Sequence, residues 1–392
     1  MNDEEMKREK RRRRRIRSQF FAYFTLAVLV VMALAALYFG VSGAIRYVKS
    51  YNNKVSEKIA EAESGMAAES EEETEPVAES TQPAYDENDY AAEPSDDPLG
   101  ELVDTLLQDM TIEEMVAGMF LVTPEALTGV QNVVRAGDST KNAITEKPVG
   151  GIIYSTKNYK SQEQFREMLQ NTTEFSIYPL FLAVTAECGT NPGFGLEDTK
   201  KASEITDTDS AKEAYGAIAE TLSSYGINMN MAPASEIFGS DATAAAPLVS
   251  ASVQAMQEKG VGAALQKFSG TDTEAFILYE TAIQNGVSCI MVSDISASDT
   301  VITDVLRGEL GFDGVVITDA LDDSAITQNQ TPAEVAVAAI EAGADVLYRP
   351  ADFDAAYEGV LQAITDGRIA KERIYESLAR IYRVKYRDVV LD

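Results

Sequence analysis

From Pro98 onward, short apolar runs alternate with longer segments whose apolar positions return every three or four residues. The runs are MFLV (119–122), VGGIIYS (149–155), LFLAVT (180–185), NMNMAPA (228–234), AALQKF (263–268), SCIMVSD (288–294), GVVITDA (314–320) and DVLYRP (345–350). Such runs read as strands buried on both faces. The helical segments between them are 161–176, 209–225, 248–259, 273–284, 302–310, 332–342 and 353–364, and a last helix covers 372–387. Eight strand–helix units are the count of a (β/α)8 barrel, so the expected fold class is α/β, with a TIM-type barrel over 98–392. A doubly wound parallel sheet is the alternative, although it usually has fewer units.

The pattern ahead of Pro98 is different. Residues 1–19 are basic, and FFAYFTLAVLVVMALAALYFGVSGA (20–44) carries no charge. A helix of that length spans about 30 Å of hydrocarbon. The basic flank puts residues 1–19 in the cytoplasm and the barrel outside, as a single-pass protein held in membrane lipid through residues 20–44. A cleaved signal peptide ending near Ala33-Leu34-Ala35 is the rival reading, but apolar residues continue past it. Residues 45–97 are acidic, rich in Ala, Ser and Pro and poor in large apolar groups, which predicts a disordered, extended stalk.

Composition then excludes several chemistries. The chain has 392 residues, a formal net charge of −30, no His, no Trp and two Cys. Without His there is no Ser-His-Asp or Cys-His triad and no His-containing zinc site. Cys188 and Cys289 sit in apolar runs and read as small buried hydrophobes. The acidic balance argues against a nucleic-acid partner. No cofactor motif is present, and no ligand-loop spacing supports a divalent cation at the acidic strand ends.

In a barrel, function gathers at the C-terminal ends of the strands. Those ends carry Thr185 and Glu187, Ser235 and Glu236, Lys267, Asp294 and Asp319. Taken singly, Asp319 reads as a helix cap and Glu236 and Asp294 as solvated rim residues. Together, acids on several strand ends mark a pocket.

Several motifs, in order, resemble the N-terminal barrel domain of glycoside hydrolase family 3, in its single-domain β-N-acetylhexosaminidase branch. MTIEEMVAGMFLV (110–122) resembles the family's opening M-T-x-x-E-K-x-G-Q-M, and GGIIYSTKNYKSQEQFREMLQ (150–170) its second βα unit. YGINMNMAPASEI (225–237) resembles G-I-N-x-x-x-A-P-x-x-D-V. LRGELGFDGVVITDALDDSAI (306–326) resembles L-R-x-E-L-G-F-x-G-V-V-x-[ST]-D-x-L-x-M-x-A-I. The resemblance implies a retaining glycosidase with a carboxylate nucleophile and an acid/base about 5 Å apart. The nucleophile position falls on Asp319. The candidate substrate-binding residues are Glu187, Glu236, Lys267 and Asp294, and the partner implied is a carbohydrate, an amino sugar or peptidoglycan fragment. The sequence does not identify a protein partner.

The same resemblance exposes losses. The branch carries its acid/base as an Asp-His pair on a loop after strand 5, following K-H-F-P-G-H-G-D-T. Here that region reads AALQKFSGTDTEAFILYETAIQNG (263–286), with Gln266-Lys267 in place of Lys-His and no room for the loop. The family's D-x-E-G-G becomes Thr185-Ala186-Glu187-Cys188-Gly189, and the acid ending A-P-x-x-D becomes Glu236. Three readings follow. The chain is a glycan-binding barrel with weak or lost hydrolysis. Alternatively, it is an active hydrolase using Asp319 and a replacement acid among Glu187, Glu236 and Asp294. Or it is a non-carbohydrate scaffold. Lys267 is one candidate counter-ion for Asp319, a pairing that would keep the acid ionised and leave no protonated group for the leaving oxygen.

Overall fold

The computed structural model describes residues 97–190, 192–196, 199–293, 300–327 and 330–387. The expectations for residues 1–96, including the span 20–44 and the stalk, and for Asp294 lie outside them. Among the described residues no helix is long and apolar enough to cross a membrane.

All eight expected strands form: β1 Phe120–Val122, β2 Gly151–Ile153, β3 Phe181–Val184, β4 Met229–Asn230, β5 Gly262–Phe268, β6 Cys289–Val292, β7 Val315–Thr318 and β8 Leu347–Tyr348. They lie parallel in the order β7-β6-β5-β4-β3-β2-β1-β8. The ends of that sheet meet. Ile317 of β7 bridges Val346, just ahead of β8, and the Thr318 N–H donates to the Val346 carbonyl at 3.0 Å. The sheet is therefore a closed barrel, and closure leaves no edge strand to protect.

The helices follow from local signals. In Thr208–Tyr225, Asp207 caps the start, and Gly226 at φ 97° ends it in the left-handed conformation that glycine adopts freely. Ala211, Tyr215, Ile218, Ala219 and Leu222 fall on one buried stripe at three- and four-residue spacing. Two helices differ from the sequence expectation. The one expected at 248 starts at Ala242, capped by Asp241, and carries Pro247 inside it. Proline there removes one N–H without ending the helix, because the alanines before it already propagate the turn. The one expected at 273 starts at Phe276. Asp272 accepts bonds from the N–H groups of Glu274 at 3.2 Å and Ala275 at 3.3 Å, holding 272–275 as a turn.

The N-terminal face of the barrel is closed by the first and last helices, Pro98–Gln108 and Lys371–Tyr386. Arg383 pairs with Asp97, and the Tyr375 hydroxyl donates to Asp104 at 2.9 Å. Beneath β8 lies Asp345, completely buried. Its carboxylate faces Arg307 at 2.7 Å, Arg380 at 3.2 Å and Arg373 at 3.6 Å. It also accepts from the Ser377 hydroxyl at 2.7 Å and the Val316 N–H at 2.9 Å. One carboxylate thus ties β7, β8, the wide helix Val301–Glu309 and the last helix together.

Candidate active site

Asp319 stands where the strand pattern puts it, one residue past β7. Its neighbour Thr318 is buried and accepts a hydrogen bond from the Tyr348 N–H at 2.9 Å. The Asp319 N–H donates to the Val292 carbonyl at 3.1 Å. The backbone is therefore pinned on both sides, to β6 and to β8. The side chain is exposed, and its Oδ1 accepts from the Ala320 N–H at 2.9 Å. No lysine or arginine pairs with it among the described residues.

The candidate Lys267–Asp319 pair does not form. Lys267 pairs with Glu236 instead. The cause is local: Lys267 sits at φ 71°, in the left-handed region, which turns its side chain away from the normal strand alternation. Glu236 also accepts from the Ser235 hydroxyl at 3.0 Å. Burial works to raise the Glu236 carboxyl, but the Lys267 ammonium and the Ser235 hydroxyl outweigh it and hold the group below its ordinary value. Glu236 is therefore ionised at neutral pH and cannot donate a proton.

Glu187 is placed differently again. One carboxylate oxygen accepts from the buried Tyr215 hydroxyl and from the Cys188 N–H at 3.3 Å, the other from the Ala234 N–H at 2.8 Å. It clamps the end of β3 to the segment after β4. Burial pushes its pKa up, against the lowering effect of those donors. A raised carboxyl suits an acid catalyst, but here both oxygens are engaged in holding the fold. Asp294, the remaining candidate, lies outside the described residues.

Several mouth residues were not singled out in the sequence. Arg349, after β8 and at φ 49°, donates to Asp322 from Nη2 at 2.6 Å and Nε at 3.1 Å. Its guanidinium lies 5.7 Å from the centre of the Tyr348 ring. Tyr348 is buried, and its hydroxyl interacts with Arg349 and with Thr185. Thr185 directly follows β3, so the tyrosine reaches past the ends of β1 and β2 toward it. Away from the mouth, Asn228, just ahead of β4, and Asn230, within it, bracket β3 from its start to its end. Asn228 binds Leu182 N at 2.8 Å and Leu180 O at 2.8 Å, and the fully buried Asn230 binds Ala186 N and O, each at 2.9 Å. Asparagines at i and i+2 in an apolar strand were the available signal for this pair. Arg349 had none beyond its position.

After β5 the chain runs through 269–275 directly into helix Phe276–Gln284. Asp272 is spent on the turn described above. The Tyr279 hydroxyl donates to the Gln266 carbonyl at 2.9 Å, drawing the helix against the strand end. Nothing in this segment can serve as an Asp-His pair, and among the described residues no acid cluster is arranged to hold a metal ion.

The chain has relatives among known proteins. It is 23% identical over 297 residues to a beta-N-acetylglucosaminidase/beta-glucosidase of Cellulomonas fimi, covering 60% of this chain and 52% of that protein. It is 24% identical over 325 residues to beta-hexosaminidase A of Pseudoalteromonas piscicida, covering 62% and 54%. The chain thus spans about half the length of these curated relatives. A solved glycoside hydrolase family 3 beta-N-acetylglucosaminidase from Paenibacillus sp. str. FPU-7 superposes with a TM-score of 0.63 at 28% identity, over 72% of this chain and 64% of that one. A beta-N-acetylhexosaminidase from Beutenbergia cavernae DSM 12333 shares the fold with a TM-score of 0.61 at 22% identity, over 71% of this chain and 99% of that one. The model described as Glycosyl hydrolase family 3 N terminal domain matches residues 111–276 and 272–384, and with that the chain belongs to glycosyl hydrolase family 3.

Proposed function

We propose that this barrel binds amino-sugar or cell-wall glycan at the mouth around Asp319 and hydrolyses it weakly or not at all. One observation carries the reading. The connection after β5 is the short turn 269–275, which holds no acid/base pair. The described substitutes do not fill the role. Glu236 is kept ionised by Lys267, and Glu187 is engaged by Tyr215 and Ala234. General acid assistance contributes about 10²–10⁴-fold in rate, so its loss alone would make the natural leaving group very slow. The relatives named as β-hexosaminidases support the sugar class, and the uncharged run 20–44 behind a basic flank supports a membrane anchor with the barrel outside the cell.

An exposed Asp319 that pairs with no cation among the described residues favours a second reading, an active retaining glycosidase that uses it as nucleophile with Asp294 as acid. Hydrolysis of N,N′-diacetylchitobiose separates the two, because its sugar leaving group needs protonation and a site lacking the acid cleaves it slowly or not at all. The binding reading expects little or no hydrolysis, together with a saturable upward shift of the thermal transition by the same disaccharide. Rapid hydrolysis that disappears in Asp319→Asn would establish the second reading. Failure of every amino-sugar probe to shift the transition would sink the first.

A further inference from the structure

A cavity of about 650 Å³ lies between the loop after β1 and helix Gln162–Phe175, away from Asp319. Its walls are fixed. Glu125 accepts from the Val133 N–H at 3.1 Å, Asn158 donates to the Val133 carbonyl at 2.8 Å, and Gln164 donates to the Val134 carbonyl at 2.6 Å. A wall held this way needs no ordering when a ligand arrives.

The groups on those walls are unspent. Helix Asp138–Glu146 starts at Gly137 with no side chain capping it, so its first-turn N–H groups face outward without intrahelical partners. In that turn Thr140 is 5% exposed, lines the cavity, and makes no side-chain hydrogen bond among the described residues. Its hydroxyl is not sealed from solvent and is open to a ligand in the cavity. Asn171 lines the opposite wall and Arg135 the rim, neither with a side-chain partner among the described residues. Val130, 45% exposed, supplies apolar surface beside them.

The charges choose the ligand. Arg135 is opposed by Asp138 and Glu167 on the same lining, so a phosphate or a lone carboxylate gains little. Donors for carbonyl and hydroxyl oxygens, carboxylates for hydroxyl protons, and an apolar strip for a C–H face or methyl group together match a neutral saccharide. The volume lies within the range of small-molecule sites. Building on the reading that this chain handles amino-sugar glycans, we propose that this cavity is a second carbohydrate site, taking an acetamido-bearing mono- or disaccharide unit independently of the barrel mouth.

The test is titration of the full chain with N,N′-diacetylchitobiose by calorimetry and ligand-observed NMR. Wild type is compared with Thr140→Val, Ser139→Trp and Asp319→Asn. Thr140→Val keeps the shape and removes only the hydroxyl, whereas Ser139→Trp fills the cavity from an exposed position. The expected result is two binding events, of which one is weakened about tenfold by Thr140→Val, abolished by Ser139→Trp and untouched by Asp319→Asn. Binding that responds only to Asp319→Asn would overturn the second site and leave the mouth reading standing. Binding indifferent to Thr140→Val and Ser139→Trp would overturn it as well. No binding by any variant or by wild type would remove both readings.

Discussion

The two ends of the barrel use the same chemistry to opposite effect. At the N-terminal end Asp345, with no exposed surface, meets three arginines whose side chains are 18%, 22% and 29% exposed. At the mouth, Glu236 and Lys267 pair with 52% of each side chain exposed, and Asp322 and Arg349 pair at 35% and 39%. A desolvated carboxylate is costly unless every lone pair is met, and Asp345 meets that condition through Ser377 and the Val316 N–H as well. Exposed pairs contribute little stability and exchange readily for water or ligand. The closed end is therefore a clasp, and the mouth is a surface whose charges are parked on one another.

The backbone sharpens the contrast. Lys267 and Arg349, two paired cations of the mouth, both sit at positive φ, 71° and 49°. Strain of this kind costs about 1–3 kcal/mol per residue and gathers where side chains are aimed for binding. Asp345 is not among the positive-φ residues. Geometry at the clasp is relaxed and enclosed, whereas at the mouth it is strained and open.

The comparison breaks first, if it breaks, at Asp345. Asp345→Asn leaves Arg307, Arg373 and Arg380 facing one another without an anion. It should cost about 3–5 kcal/mol in urea unfolding, against about 1 kcal/mol or less for Glu236→Gln at the mouth. Equal losses would mean that burial does not separate the two ends.

Glu187 tests a half-buried acid at the mouth itself, and its effect is smaller. Glu187→Gln keeps one acceptor oxygen for the Tyr215 hydroxyl and the Ala234 N–H, so one donor loses its partner, at about 1–3 kcal/mol. The wild-type carboxyl is raised by burial above its ordinary 4.5. A raised folded pKa contributes stability that is present below the unfolded value and lost as pH rises through the folded one. Wild-type stability should therefore fall with rising pH above 4.5, and that part of the slope should vanish in Glu187→Gln. An unchanged slope would show that Glu187 is not the buried acid responsible.

Much of this was legible in the sequence, for definite reasons. The eight strands were read because parallel barrel strands are apolar on both faces, and Asp319 because its strand ends abruptly on a charge. The start of helix Ala242–Gln257 was misread because Pro247 looks like a boundary when only propensity is weighed. The pairing of Lys267 with Glu236 was not legible because φ 71° sets the direction of that side chain, and no residue pattern records a dihedral. The clamp role of Glu187 depends on Tyr215, 28 residues away on another element, which no local pattern connects to it. Arg349 and Asp322, 27 residues apart, meet for the same reason.

The smallest effect on stability, and the most informative about the mouth, belongs to Lys267→Gly. Glycine accepts φ 71° without strain, which returns part of the energy stored there. Loss of the half-exposed pair with Glu236 removes a comparable amount. Net stability should stay within about 1 kcal/mol of wild type, while N,N′-diacetylchitobiose binding at the mouth weakens. The pH dependence distinguishes aim from accident. Glu236 is held below its ordinary 4.5, so the pair is intact above that value and is lost as pH falls through the lowered one. Wild-type affinity at the mouth should then be flat from pH 5 to pH 8 and change only in acid, with no acid limb in Lys267→Gly. If Lys267→Gly instead stabilises the fold by more than the strain and binds sugar unchanged, the left-handed lysine is a tolerated defect, and the cations at the mouth have no part in recognition.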